Sequence, residues 1–329
     1  MIRKDGQLNK IAYNLSYKRF NIAKECSQTM RTNKDILPFE GLLNGIGQVY
    51  FTPSVMTSFL LLFAISIESL ALAFLTLFGA SCSYGFALLT NKPSHDIENG
   101  MYALNGALVG LFIGNFFGVT PFLVVVTMLG ALLTVPIARI VFSFKKYRGY
   151  TSAFILTSWL IYAIQSALDL SAFSPSNSAL IPIISLEVGS WFSLPTAVLP
   201  LLKGISQVSF IDNALSGLVI LVAIALNNIK HALWVVLTVL ISTVFSHMIG
   251  ASGALIEQGL YGYNATLATL ALVLYPRIPW PLILLGMLLS CLITLGFHEL
   301  SLLPLTAPFV LSTWIIVYLS THFKKLDED

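Results

Sequence analysis

Two glutamines stand in otherwise apolar surroundings, Gln48 in LLNGIGQVYF and Gln207 in LLKGISQVSF. A primary amide in an apolar segment needs hydrogen-bond partners, and at membrane depth such side chains mark solute paths or helix ties. Each Gln is followed by a valine, Val49 or Val208. Three residues beyond each Gln, about one helical turn, comes a phenylalanine, Phe51 or Phe210, which would share a face with the amide. An amide acceptor beside a flat ring could line a slot for a small planar polar solute; the glutamines could also tie a short helix to its neighbour. Thr151 and Thr306 open the matching motifs TSAF and TAPF, where a hydroxyl could face the solute or cap the following helix. Asn105 in ALNGAL and Asn264 in GYNATL suit a structural duty, satisfying backbone groups where a broken helix begins. Glu98 and Glu257 precede them by seven residues and read as solvated loop residues or mouth-lining carboxylates. The histidines do not recur in equivalent places, and no HExxH, CxxC or GxSxG occurs in a suitable context, nor a Walker-type Gly-rich loop. No enzyme constellation, metal site or cofactor is expected.

These residues come in pairs because the chain repeats itself. An offset of 159 superposes Leu42, Leu43, Gly45, Ile46, Gln48, Val49 and Phe51 on identical residues between Leu201 and Phe210. The same offset pairs Ile97, Glu98, Gly100, Asn105 and Leu108 with Ile256, Glu257, Gly259, Asn264 and Leu267, and an offset of 155 pairs TSAFILTSWLI with TAPFVLSTWII. The expected organisation is a basic cytoplasmic leader (1–39), a first repeat (40–172), a linker (173–198), a second repeat (199–322) and a cytoplasmic tail (323–329).

The elements that must position the pairs are membrane helices. Hydrophobic residues make up 56% of the 329 and charged residues 10%, too few to cover a water-facing surface. Within each repeat five apolar segments follow the short Gln element; in the first repeat they lie near 54–67, 70–90, 101–118, 121–138 and 152–170. An odd number of spans forces the second repeat to start from the opposite side of the bilayer. With the leader inside, Lys92, Arg139, Lys145, Lys146, Arg148, Lys230, Arg277, Lys324 and Lys325 all fall inside, while Glu68, Glu187, Glu257 and Glu299 fall outside. Only Lys203 departs from the positive-inside pattern. The first segment of each repeat is short, and fusing it to the preceding Gln element would give a different count. Inverted repeats with short interrupted helices characterise transporters and channels whose solute site lies near the midplane. The leader has no continuous apolar run and so does not read as a signal peptide. Cys26, Cys82 and Cys291 have no metal-type or disulfide spacing.

GIGQVYF and LLKGISQVSFIDNALSG, together with GLYGYNATLA, ALNGALVGL and LTAPFVLSTW, resemble the urea transporter family. The resemblance spans about residues 40–322. It implies an all-α polytopic membrane protein of two inverted repeats, with about ten transmembrane helices plus two re-entrant pore helices. It further implies a homotrimer in the plasma (inner) membrane, both termini cytoplasmic, each subunit passing urea down its gradient. By position, Gln48 and Gln207 would accept hydrogen bonds from urea. Val49, Val208, Phe51, Phe210, Leu104, Leu108, Tyr263 and Leu267 would line the slot, and Thr151 and Thr306 would mark its central constriction. The halves differ at Thr52-Pro53-Ser54 against Asp212-Asn213, at Ala153 against Pro308 and at Leu104 against Tyr263. Urea is flat, neutral and strongly hydrated, so aromatic faces with oxygens along one edge could replace its water shell without holding it tightly. The expected partners are urea and the lipid bilayer, with no nucleic acid. The competing readings are a pore for ammonia, water or a urea analogue, a membrane-embedded enzyme, and a receptor or scaffold using the leader.

Overall fold

Among the described residues the apolar segments form helices, because backbone N–H and C=O groups in lipid must be satisfied within their own segment. The computed structural model describes residues 39–144, 148–168 and 198–326, with side chains through 321. Cys26, nearly all of the leader, Lys145, Lys146, Glu187, the linker before Val198, and the side chains of Lys324 and Lys325 therefore lie outside the described residues. From Gly41 onward the chain packs as one unit.

Among the described residues the first seven helices are α1 (Glu40–Gly47), α2 (Val55–Glu68), α3 (Leu70–Leu89), α4 (Ser94–Glu98), α5 (Met101–Phe117), α6 (Pro121–Phe142) and α7 (Ser152–Leu168). The next seven are α8 (Leu199–Ser206), α9 (Ala214–Asn227), α10 (Ile229–Met248), α11 (Gly253–Glu257), α12 (Gly262–Val273), α13 (Trp280–Glu299) and α14 (Ala307–Leu326). A single 3₁₀ turn follows α1 (Gln48–Tyr50) and another follows α8 (Gln207–Ser209).

Helices α3, α6, α10 and α13 are long and apolar enough to cross a membrane. Helices α5, α7, α12 and Ala307–Thr321 of α14 are shorter apolar helices. The segments Glu40–Tyr50 and Val55–Glu68 meet at a bend of 65°, and Leu199–Ser209 and Ala214–Asn227 at 73°. These breaks agree with the sequence expectation that the Gln elements are too short to span alone.

Burial runs opposite to that of a water-soluble protein. Val125, Leu129 and Leu133 on α6, and Leu233, Leu237, Leu240 and Val244 on α10, form exposed apolar stripes, while Thr127, Thr134, Thr238 and Ser242 on the same helices are buried. The buried hydroxyls bond back to their own helix, as Thr127 does to the Leu123 carbonyl at 2.8 Å, so the interior carries them at little cost. Helix α5 is buried on nearly every side, and small residues let α3 approach it closely: a Cβ on Gly106 would lie 2.2 Å from the Gly79 carbonyl oxygen.

Side chains in the short breaks cap the helices. Ser69 accepts from Leu72 N–H at 3.2 Å, Thr120 from Leu123 N–H at 3.2 Å, and Asn213 from Leu215 N–H at 2.9 Å. Lys203, the exception to the charge pattern, is paired with Asp212 at 2.9 Å, which neutralises it locally.

Candidate functional site

Each Gln element is placed by a crossing of two glycines. Gly100 has φ +73°, and a Cβ there would sit 2.1 Å from the Gly45 nitrogen; Gly259 has φ +76°, and its Cβ would sit 2.3 Å from the Gly204 nitrogen. Only glycine combines that left-handed backbone with such an approach. The contact brings α1 onto the loop before α5, where Gln48 Nε2 donates to the Asn99 carbonyl at 3.2 Å. That bond orients the amide of the half-buried Gln48 and leaves its oxygen as the acceptor. Gln207 occupies the matching place and is 9% exposed.

The 3₁₀ turns end in the same unusual way. Phe51 (φ 56°) and Phe210 (φ 57°) are both left-handed, and their N–H groups donate to the carbonyls of Gln48 and Gln207 at 3.0 Å. A bulky residue in this region is strained and persists only where its surroundings over-determine it. Finding a phenylalanine there twice points to the direction of the ring as the property the turn sets.

The threonines meet. Thr151 Oγ1 and Thr306 Oγ1 lie 2.7 Å apart, with Thr151 6% exposed and Thr306 0%. The capping duty these hydroxyls could have held belongs to the asparagines. Asn105 Oδ1 accepts from Phe154 N–H at 2.9 Å, and Asn264 Oδ1 from Phe309 N–H at 3.3 Å, in the first turns of α7 and α14. Asn105 Nδ2 also donates to the Met101 carbonyl at 2.9 Å, and Asn264 Nδ2 to the Leu305 carbonyl at 3.0 Å. The two residue pairs thus divide the work: asparagine satisfies helix N–H groups, which leaves each threonine hydroxyl facing its partner.

Aromatic rings pack on the phenylalanine that ends each 3₁₀ turn. Phe51 lies edge-on to Tyr150 (6.0 Å between centroids) and to Phe309 (5.9 Å), and Tyr150 lies 5.2 Å from Phe309. Phe210 lies 6.2 Å from Phe116 and 6.0 Å from Phe154. Each phenylalanine of a 3₁₀ turn therefore packs against the last apolar helix of the other half. Val49, Val208, Leu104, Leu108, Tyr263 and Leu267 all belong to the same buried cluster as Tyr150, Phe154, Phe210 and Phe309, against which Phe51 packs. The Tyr263 hydroxyl donates to the Leu305 carbonyl at 2.6 Å, a bond Leu104 cannot make at the equivalent place. Glu98 and Glu257 are exposed at the ends of α4 and α11; the Glu98 backbone carbonyl accepts from Asn44 Nδ2 at 3.0 Å.

Sequence reasoning missed several contacts that hold the site. The Tyr50 hydroxyl is bonded to Ser209 Oγ at 3.0 Å and to the Ile205 carbonyl at 2.9 Å, joining one 3₁₀ turn to the other. Trp159 Nε1 donates to the Leu303 carbonyl and Trp314 Nε1 to the Arg148 carbonyl, each at 2.9 Å. Trp159 and Trp314, like Arg148 and Leu303, stand at the 155-residue offset, so the two bonds are reciprocal. The signal was present, since both tryptophans lie inside the repeated TSAF and TAPF segments and an indole N–H in an apolar helix needs an acceptor.

The sequence matches the Urea transporter family over residues 39–199 and 198–329. It is 25% identical over 330 residues to Urea transporter 1 of Ovis aries, covering 91% of this chain and 81% of that one. Against Urea transporter 1 of Capra hircus the identity is 25% over 331 residues, with the same coverage. Against that of Rattus norvegicus it is 24% over 318 residues, covering 91% and 82%. With a family match along nearly its whole length and a succession of apolar helices, this chain belongs to the urea transporter family, a multi-pass integral membrane protein that is a transporter and not an enzyme.

Proposed function

We propose that the chain is a urea channel, passing urea down its concentration gradient through a slot between two inverted repeats. In this reading ten helices cross the membrane, α1 and α8 are re-entrant, both termini are cytoplasmic, and three subunits assemble in the plasma (inner) membrane, each with its own pore. The single observation that carries the proposal is the Thr151–Thr306 bond of 2.7 Å. A residue that touches its own repeat-related counterpart lies on the two-fold axis relating the repeats, as in any self-complementary contact. Tyr50 and Ser209 form a second such pair, and the reciprocal tryptophan bonds support the same relation. In this reading such an axis runs in the membrane plane, with the threonines at the midplane, where a solute is furthest from water.

The chemistry follows from this placement. Two hydroxyls 2.7 Å apart leave no room between them, so a solute must part them and take over their hydrogen bond. Each threonine can donate to the urea carbonyl or accept from its N–H groups. Gln48 and Gln207 offer acceptors to N–H groups on either side of this point, and Phe51 and Phe210 present ring surfaces to the flat faces of urea. No hydrogen bond needs to be stronger than the water it replaces, which is the condition for fast passage.

Purified protein in liposomes tests the proposal by stopped-flow uptake of urea, ammonia and glycerol. Urea uptake should exceed that of protein-free vesicles, saturate only at high concentration and be indifferent to an uncoupler or a sodium gradient. Uptake that collapses with the uncoupler, or preference for ammonia or glycerol, refutes it.

A further inference from the structure

The two ends of the proposed path are built from equivalent positions but not from equivalent chemistry. At one end Tyr150 joins Phe51 and Phe309 in a triangle of edge-packed rings. Its hydroxyl lies 2.9 Å from the hydroxyl of Tyr275, and the Arg148 guanidinium stands 5.1 Å from the centre of the Tyr275 ring. Exposure falls along this row, from exposed Arg148 through half-buried Tyr275 to buried Tyr150, next in sequence to Thr151. The repeat-related positions are Leu303, Phe116 and Leu305. There Phe116 packs on Phe210, and none of the three side chains can donate a hydrogen bond.

This difference matters for a molecule that presents both N–H groups and a carbonyl oxygen. Gln48 spends one of its two amide N–H donors on the Asn99 carbonyl, a bond that turns the amide nitrogen toward the loop and its oxygen the other way. Two phenol hydroxyls carry two protons, and the bond between them uses one. With Tyr275 as the donor to Tyr150, the Tyr150 proton is directed away from Tyr275 and is available to a carbonyl oxygen beside the same Phe51 ring that follows Gln48. The tyrosine at position 150 is also left-handed (φ 45°), so its ring direction is set by the turn rather than left free.

We propose that Tyr150 and Tyr275, backed by Arg148, form a solute-binding station at one mouth only, donating an O–H hydrogen bond to the carbonyl oxygen of a urea-like amide. The station rests on the urea-channel reading and adds a chemical distinction between the two mouths. Its partner group is the carbonyl oxygen, so replacing that oxygen by sulfur, a weaker acceptor, removes most of what the tyrosines contribute.

The experiment compares urea and thiourea flux in proteoliposomes carrying the parent protein, Tyr150→Phe or Tyr275→Phe, with melting temperature measured on the same preparations. Each variant keeps the ring and removes one hydroxyl, the donor itself in Tyr150→Phe and the group that orients that donor in Tyr275→Phe. Urea flux should fall about five- to tenfold, the value of one hydrogen bond, while thiourea flux changes by less than about twofold. Should Tyr150→Phe fail to fold, Tyr275→Phe, at the half-exposed position, carries the test alone. Folded variants in which both fluxes fall alike, or neither changes, overturn the station and leave the channel reading intact. A parent protein that passes neither solute refutes the channel reading and the station with it.

Discussion

Replacing Thr151 and Thr306 together by valine separates a pore role from a capping role, and the structure sets the size of each effect. Valine has nearly the shape of threonine, and both partners of the 2.7 Å bond would become apolar at once. Such a double replacement is close to neutral for stability, within about 1 kcal/mol. Thr151→Val alone is different, because it leaves the fully buried Thr306 hydroxyl without its partner, at a cost of about 1–3 kcal/mol. The double variant should therefore be more stable than the sum of the single changes by a comparable coupling energy. Flux should move the other way. A dehydrated urea that loses one hydrogen bond worth about 1.4 kcal/mol at its barrier crosses about tenfold more slowly, and loss of both hydroxyls slows it about a hundredfold. Thermal melting and stopped-flow urea flux on the same proteoliposome preparation give both quantities. If the threonines act only as caps, stability falls by about 1 kcal/mol per site, additively, and folded protein conducts normally. That pattern would refute the reasoning, since the caps would then belong to the threonines and not to Asn105 and Asn264.

Changing Gln48 or Gln207 to alanine should lower urea flux about tenfold per folded molecule, through the loss of one acceptor in a dehydrated slot; unchanged flux removes the glutamines from the path. Asn105→Ala and Asn264→Ala should instead act on stability, by about 2 kcal/mol or more, because each asparagine satisfies a buried Phe N–H and a second backbone group. Denaturation in mild detergent reads this, and a stable variant with lost flux contradicts the assignment. Gly100→Ala should abolish folded yield, since its Cβ would meet the Gly45 backbone at 2.1 Å, whereas Gly85→Ala, with nothing within 4 Å, should fold normally; size-exclusion recovery compares them.

Much of this molecule is legible in one dimension because the bilayer simplifies the code. Lipid demands apolar segments of helical length, so the stretches near 70–90 and 121–138 correspond to α3 and α6, and the Gln elements, too short to span, become bent segments. The internal likeness of the halves marked Gln48, Gln207, Thr151 and Thr306 as pairs before any contact was known. Hydropathy and repetition are properties of neighbours along the chain, and they survive in the sequence alone.

The meeting of those pairs is a property of packing across the whole chain. The Thr151–Thr306 bond joins residues 155 apart, Tyr150–Tyr275 spans 125, and the Trp314 bond to the Arg148 carbonyl spans 166. No local pattern states which side chains such separations bring together. At Thr151 the sequence left two roles open, cap or pore. In the folded chain Asn105 on α5 accepts from the α7 N–H group of Phe154, and the Thr151 hydroxyl bonds to its counterpart Thr306. The left-handed backbone at Phe51 and Phe210 was likewise invisible, since sequence favours glycine there and the turn bonds to Gln48 and Gln207 and the packed rings come only with the folded chain.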